Sequence, residues 1–230
     1  MQRAHVVVAG LGGVGSWVAE ALARSGVGTL SLIDMDHVAL SNLNRQVHAL
    51  HSTLGMAKIE AMAQRLADIC PGIRLELHDT FLTPDNLDAC IPARCHGVVD
   101  AVDQPLVKAA LIAHLRRKPQ HLVVCGAGGG RSDPLALRYA DLACTTQDAL
   151  LARVRSLLRR HYGYPREAGR LFGVGAVYSV EARRGQGPVS VQQGAAGAAL
   201  ACAGYGSSAM LTASLGMHCA VRIVHKLLTI

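Results

Sequence analysis

The stretch "HVVVAGLGGVGSWVAEALARSGVG", residues 5–28, decides the fold. Its first five residues are short, β-branched and followed at once by glycine, which reads as a buried parallel strand. From Val14 onward the spacing is helical and ends on a glycine stop. Between strand and helix, Gly10, Gly12 and Gly15 spell G-x-G-x-x-G, with Gly13 beside them. Glycines there allow a tight turn and close backbone approach, and the helix N-terminus offers free N–H groups and partial positive charge to a phosphate. Asp34 closes the next strand, "TLSLID", about 20 residues on, where a carboxylate accepts hydrogen bonds from ribose hydroxyls. In this setting the motif points to an adenine nucleotide without saying which one. A dehydrogenase holding NAD is one reading that stays open at this point.

Working outward, strand and helix alternate with short links. Helical spacing covers 54–70, a strand 73–79, a short helix 83–91, a strand 96–103, a helix 104–118 and a strand from 121 into a glycine-rich turn ending near 130. That rhythm predicts an α/β fold, a Rossmann-like doubly wound and mostly parallel sheet with helices on both faces. After residue 131 the rhythm changes, and a C-terminal α/β extension is expected within one domain spanning 1–230. Residues 131–170 read as a basic crossover segment, 171–183 as a further strand or two, 183–206 as a Gly/Ala/Gln-rich mobile loop, and 207–228 as a closing helix. This last helix approaches membrane-spanning length, but His218, Arg222, His225 and Lys226 interrupt it. Burial against the sheet or a second subunit is preferred over membrane association.

The chain is half hydrophobic and 17% charged, enough for a packed core and too apolar for global disorder. Its seven cysteines are odd in number and contain no C-x-x-C pair, which argues against a disulfide framework and a four-cysteine structural zinc. A reduced, cytoplasmic compartment is the expectation. The formal charge of +7 suits a polyanion such as RNA but does not by itself establish one.

"SNLNRQ", residues 41–46, supplies an arginine that a redox dinucleotide site does not require. Asn42 and Arg45 follow Asp34 and Asp36 closely, and Lys58 comes soon after. A triphosphate cleaved between its α- and β-phosphates needs cations for the departing pyrophosphate and for charge developing at the α-phosphate. Guanidinium gives bidentate phosphate contacts and ammonium a point charge. Asp103 in "DAVD", at the sheet's carboxyl edge, is the candidate ligand for Mg2+. A capping role at the following helix would also explain it.

These residues carry a resemblance. "GLGGVGS", "DMD", "SNLNRQ", Lys58 and Asp103 follow, in order, the pattern of the E1-like adenylating enzymes, which include ubiquitin-activating enzymes and the ThiF-type enzymes that adenylate sulfur-carrier proteins. Further stretches, from "GSWVAEALARSGVGTLSLIDMD" to the late "CAGYGSSAMLTASLG", are similar to the branch that acts on threonylcarbamoyladenosine in tRNA. The resemblance implies ATP and Mg2+ as cofactors and a homodimer. It also implies a tRNA substrate whose threonyl carboxylate is adenylated and then closes on itself with loss of AMP, and it leaves room for a cysteine-desulfurase sulfur-relay partner. It assigns Gly10, Gly12, Gly13, Gly15, Asp34, Asp36, Asn42, Arg45 and Lys58 to ATP, with Arg45, Lys58 and Asp103 at the chemistry. Cys202 matches a cysteine in a mobile segment, for which a covalent role and plain packing are both open. Arg116, Arg117, Lys118, Arg153, Arg155, Arg159 and Arg160 are the candidates for tRNA phosphates, against a merely solvated basic face. The family's arginine reaching into the other subunit's ATP site comes from before the first strand, where this sequence has only Arg3. A sulfur-carrier adenylating enzyme, an NAD-dependent oxidoreductase and a non-catalytic tRNA scaffold are the alternatives.

Overall fold

The first strand, β1 (His5–Ala9), is buried on both sides because its alternate residues serve two cores. Val6 and Val8 face one helical layer and Val7 and Ala9 the other, so an unbroken apolar run is what a central parallel strand requires. The structure, a computed structural model, describes residues 1–182 and 206–229. β2 (Thr29–Ile33), β3 (Arg74–His78), β4 (Gly97–Asp100), β5 (His121–Cys125), β6 (Leu137–Asp141) and β7 (Gly175–Ser179) complete a seven-stranded sheet in the order β3-β2-β1-β4-β5-β7-β6. Every pair is parallel except β6 with β7. The strand order reverses between β1 and β4, and a doubly wound sheet opens its ligand crevice at the carboxyl end of that switch point.

Helices α1 (Gly15–Arg24), α2 (Lys58–Ile69) and α6 (Ala209–Leu228) cover one face, with Leu22, Met62, Leu66, Leu211, Leu215 and Ile223 in the core. The short α3 (Leu87–Cys90), α4 (Pro105–Leu115) and α5 (Ala149–His161) cover the other, through Leu87, Leu111, Ile112, Leu151, Val154 and Leu158. Each such side chain contributes about 1.5–3 kcal/mol by leaving water. Glu20 joins α1 to α2, accepting from Arg24 Nε at 2.9 Å and Arg65 Nε at 2.6 Å.

α6 buries one stripe, Leu211, Leu215, Cys219 and Ile223, and leaves Met210, Met217 and Val221 in solvent. It packs on α1 so closely that a Cβ at Gly216 would lie 2.8 Å from Val14 O and Trp17 Cβ. The expected burial against the sheet is therefore observed. No helix among the described residues is long and apolar enough to cross a membrane.

Two boundaries differ from expectation. The fourth strand stops at Asp100, so Asp103 lies in the following loop, and Gln104 rather than Asp103 occupies the N-cap of α4. The segment 131–170 holds an antiparallel edge strand, β6, as well as the basic helix α5. β6 left no clear signal because "LRYAD" is short, does not alternate strictly and follows closely on Pro134, as suits an edge strand. The expected loop over 183–206 and its Cys202 lie outside the described residues, apart from Gly206.

Candidate nucleotide site

Gly10 accepts no side chain in its turn: its φ is +86°, and its N–H donates to Ile33 O at 2.9 Å. Gly15 is tighter still, since a Cβ there would sit 1.7 Å from Gly10 O. Gly12 faces open space. No side chain caps the N-terminus of α1 and its first turn has no acidic residue, so orphan N–H groups point out of the turn as an anion site demands.

Asp34 locks this turn from the side. Its Oδ2 accepts from Leu11 N at 2.6 Å and its Oδ1 from Asp36 N at 2.9 Å. Lys58, 5% exposed, is held at the same place: Nζ lies 2.6 Å from Asp36 Oδ2 and 4.0 Å from Asp34 Oδ1, while its N–H donates to Asp36 O. An ammonium this enclosed has lost its rotamer freedom in advance, which is what a phosphate-binding point charge needs.

"SNLNRQ" folds as a 3-10 turn over Leu40–Asn42 continued by further turns. Asn42 is buried, and its Oδ1 accepts from Ala39 N at 3.0 Å, so that oxygen caps its own turn. Arg45 lays its stem on the glycine turn, where a Cβ at Gly13 would meet its Cγ and Cδ at 3.1 Å. Its Nη1 donates to Ser41 O at 2.7 Å and Asn44 Oδ1 at 2.9 Å. Trp17 on α1 fixes the backbone by donating Nε1–H to Arg45 O at 2.9 Å. The glycine turn, Asp34, Asp36, Arg45 and Lys58 are thus brought together.

Asp103 is half-buried, and burial pushes its carboxyl up, with Lys108 and Lys58 pulling down and Asp36 pushing up. Lys58 and Asp36, which act on its charge, belong to the same cluster. Asp100, the other carboxylate of "DAVD", is spoken for. It is fully buried with Lys108 Nζ at 2.8 Å from Oδ1, and the same ammonium donates to Asp100 O at 3.0 Å. Burial alone would lower the Lys108 pKa, but the facing carboxylate holds it above its ordinary value.

Several residues that shape the site went unnoticed in the sequence. Trp17 carries no motif. Lys108 did leave a signal, a lone charge inside the otherwise apolar helix "PLVKAALIAHL". His48 is buried with both ring nitrogens unpartnered, and burial, with Lys58 and Arg65 nearby, lowers its pKa to about 4. Arg131 explains the glycine-rich turn after β5. It donates to Ala127 O, Gln147 O and Glu181 O and pairs with buried Asp148, whose Oδ2 accepts from Ala127 N and whose Oδ1 caps α5 at Leu151 N. The described chain returns at Gly206, whose carbonyl accepts from Gly130 N, and at Ser207, whose carbonyl accepts from Asn44 Nδ2 at 3.0 Å.

The basic candidates sit apart from this cluster. α4 and α5 both run toward the amino edge of the sheet, and Arg116 Nη1 donates to Tyr162 O at 3.2 Å between their ends. Arg116 lies over the Tyr164 ring at 4.3 Å and Arg159 over Phe172 at 5.3 Å. Arg155 donates to Thr145 Oγ1, and Lys118 lies 3.4 Å from Asp88. Arg117, Arg153 and Arg160 are exposed.

The ThiF family matches over residues 1–229. The tRNA threonylcarbamoyladenosine dehydratase of Haemophilus influenzae is 40% identical, over 99% of this chain and 87% of that one. The Escherichia coli protein of that description is 42% identical over 97% of this chain and 85% of its own. The solved E. coli enzyme TcdA in complex with ATP superposes with a TM-score of 0.88 and 39% identity, covering 99% of this chain and 87% of that chain. It has also been solved with AMP, at a TM-score of 0.87.

Proposed function

The chain belongs to the ThiF family of E1-like adenylating enzymes, and from that premise we propose that it is an ATP-dependent tRNA threonylcarbamoyladenosine dehydratase. The reading is carried by one observation. A buried lysine and an arginine converge on an uncapped helix N-terminus behind a glycine turn, an arrangement suited to a triphosphate.

A carboxylate is a poor electrophile. Attack of the threonyl carboxylate oxygen on the α-phosphorus of ATP forms an acyl-adenylate and releases pyrophosphate. A neighbouring nucleophile of the same modification then attacks the acyl carbon, AMP departs, and a ring closes. In this scheme the first turn of α1 receives phosphate, Asp34 faces the ribose, and Lys58 and Arg45 hold negative charge leaving with pyrophosphate. Lys58 begins bound to Asp36, so nucleotide exchanges a carboxylate for a phosphate without reorganising the ammonium.

Mg2+ fits as a partner of the nucleotide. Among the described residues no group of three or more His, Cys, Asp or Glu could hold a metal, and Asp103 is a carboxylate left without a cation while Asp100 has one. Magnesium is content with one carboxylate, phosphates and water. Bound there, it would neutralise phosphate charge. The homodimer and tRNA contacts by Arg117, Arg153 and Arg160 belong to the same proposal.

The test is exchange of labelled pyrophosphate into ATP in the presence of tRNA bearing threonylcarbamoyladenosine. Lys58→Ala or Arg45→Ala is expected to slow it on the order of a hundredfold. Parental exchange in both variants would remove these two residues from the chemistry.

A further inference from the structure

At the opposite, amino edge of the sheet a cavity of about 570 Å³ lies under the starts of β5 and β7 and beside β6, within the range of ligand pockets. Nothing in the adenylation chemistry uses it. Its wall includes Arg116, Gln120, Tyr139, Tyr164, Phe172 and Lys226. Three features of that wall point to one class of ligand.

The first is stacking surface. Tyr139 is 40% exposed on the edge strand, with the Arg222 guanidinium 4.2 Å from its ring centre on one side. The Arg116 guanidinium lies over Tyr164, 4.3 Å from its ring centre, and that ring is edge-on to Phe172 at 5.0 Å. Planar guanidinium and phenol faces are the platforms on which unstacked bases rest. Gly175 is shaped to this arrangement, since a Cβ there would meet the Tyr139 hydroxyl at 2.2 Å. The second is unmet hydrogen bonding. Gln120 Oε1 and Tyr164 Oη are buried on the wall without a partner, although Gln120 Nε2 donates to Ala93 O at 2.7 Å. Unpaired buried polar atoms are costly and rare enough to call for an explanation. The third is charge: Arg116 and Lys226 are exposed at the rim, and Arg117 lies next in sequence to the first.

We propose that this cavity holds an unstacked nucleobase of the RNA substrate, away from the modified nucleotide, with the flanking phosphates on Arg116 and Lys226. A base supplies an aromatic face for Tyr139 and Arg116, its flanking phosphates answer Arg116 and Lys226, and its edge donors meet Gln120 Oε1 and Tyr164 Oη once those buried side chains turn outward. An anionic patch or an apolar peptide supplies only one of these. The proposal rests on tRNA being the substrate. It gives the enzyme a second hold on the molecule, at the sheet edge opposite the chemistry.

The experiment uses the full chain with its nucleotide site saturated by ATP and magnesium. Fluorescent single-stranded RNA hexamers of adenosine, cytidine or uridine are compared with an abasic hexamer by anisotropy, and with tRNA in parallel. At least one base-bearing hexamer is expected to bind about tenfold or more tighter than the abasic one, the scale of one stacked base. Tyr139→Ala, an exposed position, should erase that preference and raise the tRNA concentration needed for half-maximal pyrophosphate exchange into ATP. Lys226→Glu should weaken base-bearing and abasic hexamers alike. Equal affinity for the two kinds of hexamer, or a preference that survives Tyr139→Ala, overturns the proposal. So does a parent dimer that Tyr139→Ala dissociates with no base preference in either, since a second copy would then own the cavity. If tRNA itself fails to bind the parent at low salt, the functional reading fails with it. If tRNA binds and the hexamers show no preference, only the cavity assignment falls.

Discussion

The two edges of the sheet hold their charges in opposite ways. At the carboxyl edge, Asp34, Lys58, Asp100, Lys108, Arg131 and Asp148 are buried or nearly so and matched ion to ion or ion to backbone. At the amino edge, Arg116 and Arg159 lie on aromatic rings with water close by, and Arg117 and Arg160 stand exposed. A buried ion costs several kcal/mol to desolvate and must be fixed in place, which suits chemistry that tolerates little displacement. A ring-backed, solvated cation is inexpensive and adaptable, which suits a long polyanion met at varied angles.

That contrast is tested most severely at Lys108. Lys108→Met leaves the Asp100 carboxylate buried and unpaired, and urea denaturation should show a loss of about 3–5 kcal/mol. Arg116→Ala, its counterpart at the other edge, should cost about 0.5–1 kcal/mol in the same measurement. Equal losses would erase the distinction.

His48 gives the next effect. Its pKa is about 4 in the folded protein against an ordinary value of 6.5, so the unfolded chain takes up the proton first. Stability should fall as pH drops from 6.5 toward 4, by about 3 kcal/mol at most, and stay level in this respect above 6.5. Denaturation midpoints across that window, with His48→Gln flattening the curve, measure it. Then comes Lys58→Ala, whose hundredfold loss in pyrophosphate exchange corresponds to about 2.7 kcal/mol. It should leave tRNA affinity unchanged. Smallest are Arg117→Ala and Arg160→Ala. Each should weaken tRNA binding a few-fold, lower the slope of log affinity against log salt by about 1, and leave ATP affinity alone. A flat salt dependence in the parent would take both arginines out of the interface.

The same contrast explains what could be read in advance. The alternation of β1 to β5 with helices and the gathering of the glycine turn, Asp34, Asp36, Arg45 and Lys58 were legible, because the motif sets fixed residue types at fixed spacing along one stretch of chain. β6 was not, since five residues of mixed polarity on an edge resemble a loop. Asp103 was singled out in "DAVD" by its place in the pattern, but the burial of Asp100 against Lys108, which separates the two carboxylates physically, was not legible. The basic residues were legible as charges but not as positions. Arg155 and Arg159 turned out to be tied to Thr145 Oγ1 and Pro165 O, leaving their exposed neighbours to face solvent. The amino-edge cavity had no linear signature at all, because Gln120, Tyr139, Tyr164 and Lys226 come from four separate elements and loops.

The contact of Gly216 with Val14 and Trp17 has a consequence for synthesis. The helix that opens the glycine turn spans Gly15–Arg24, yet the partner that covers its outer flank, Ala209–Leu228, is made much later. Until then Val18, Leu22 and the adjoining sheet face remain open to water on a nascent chain, and a closure this remote in sequence is slow.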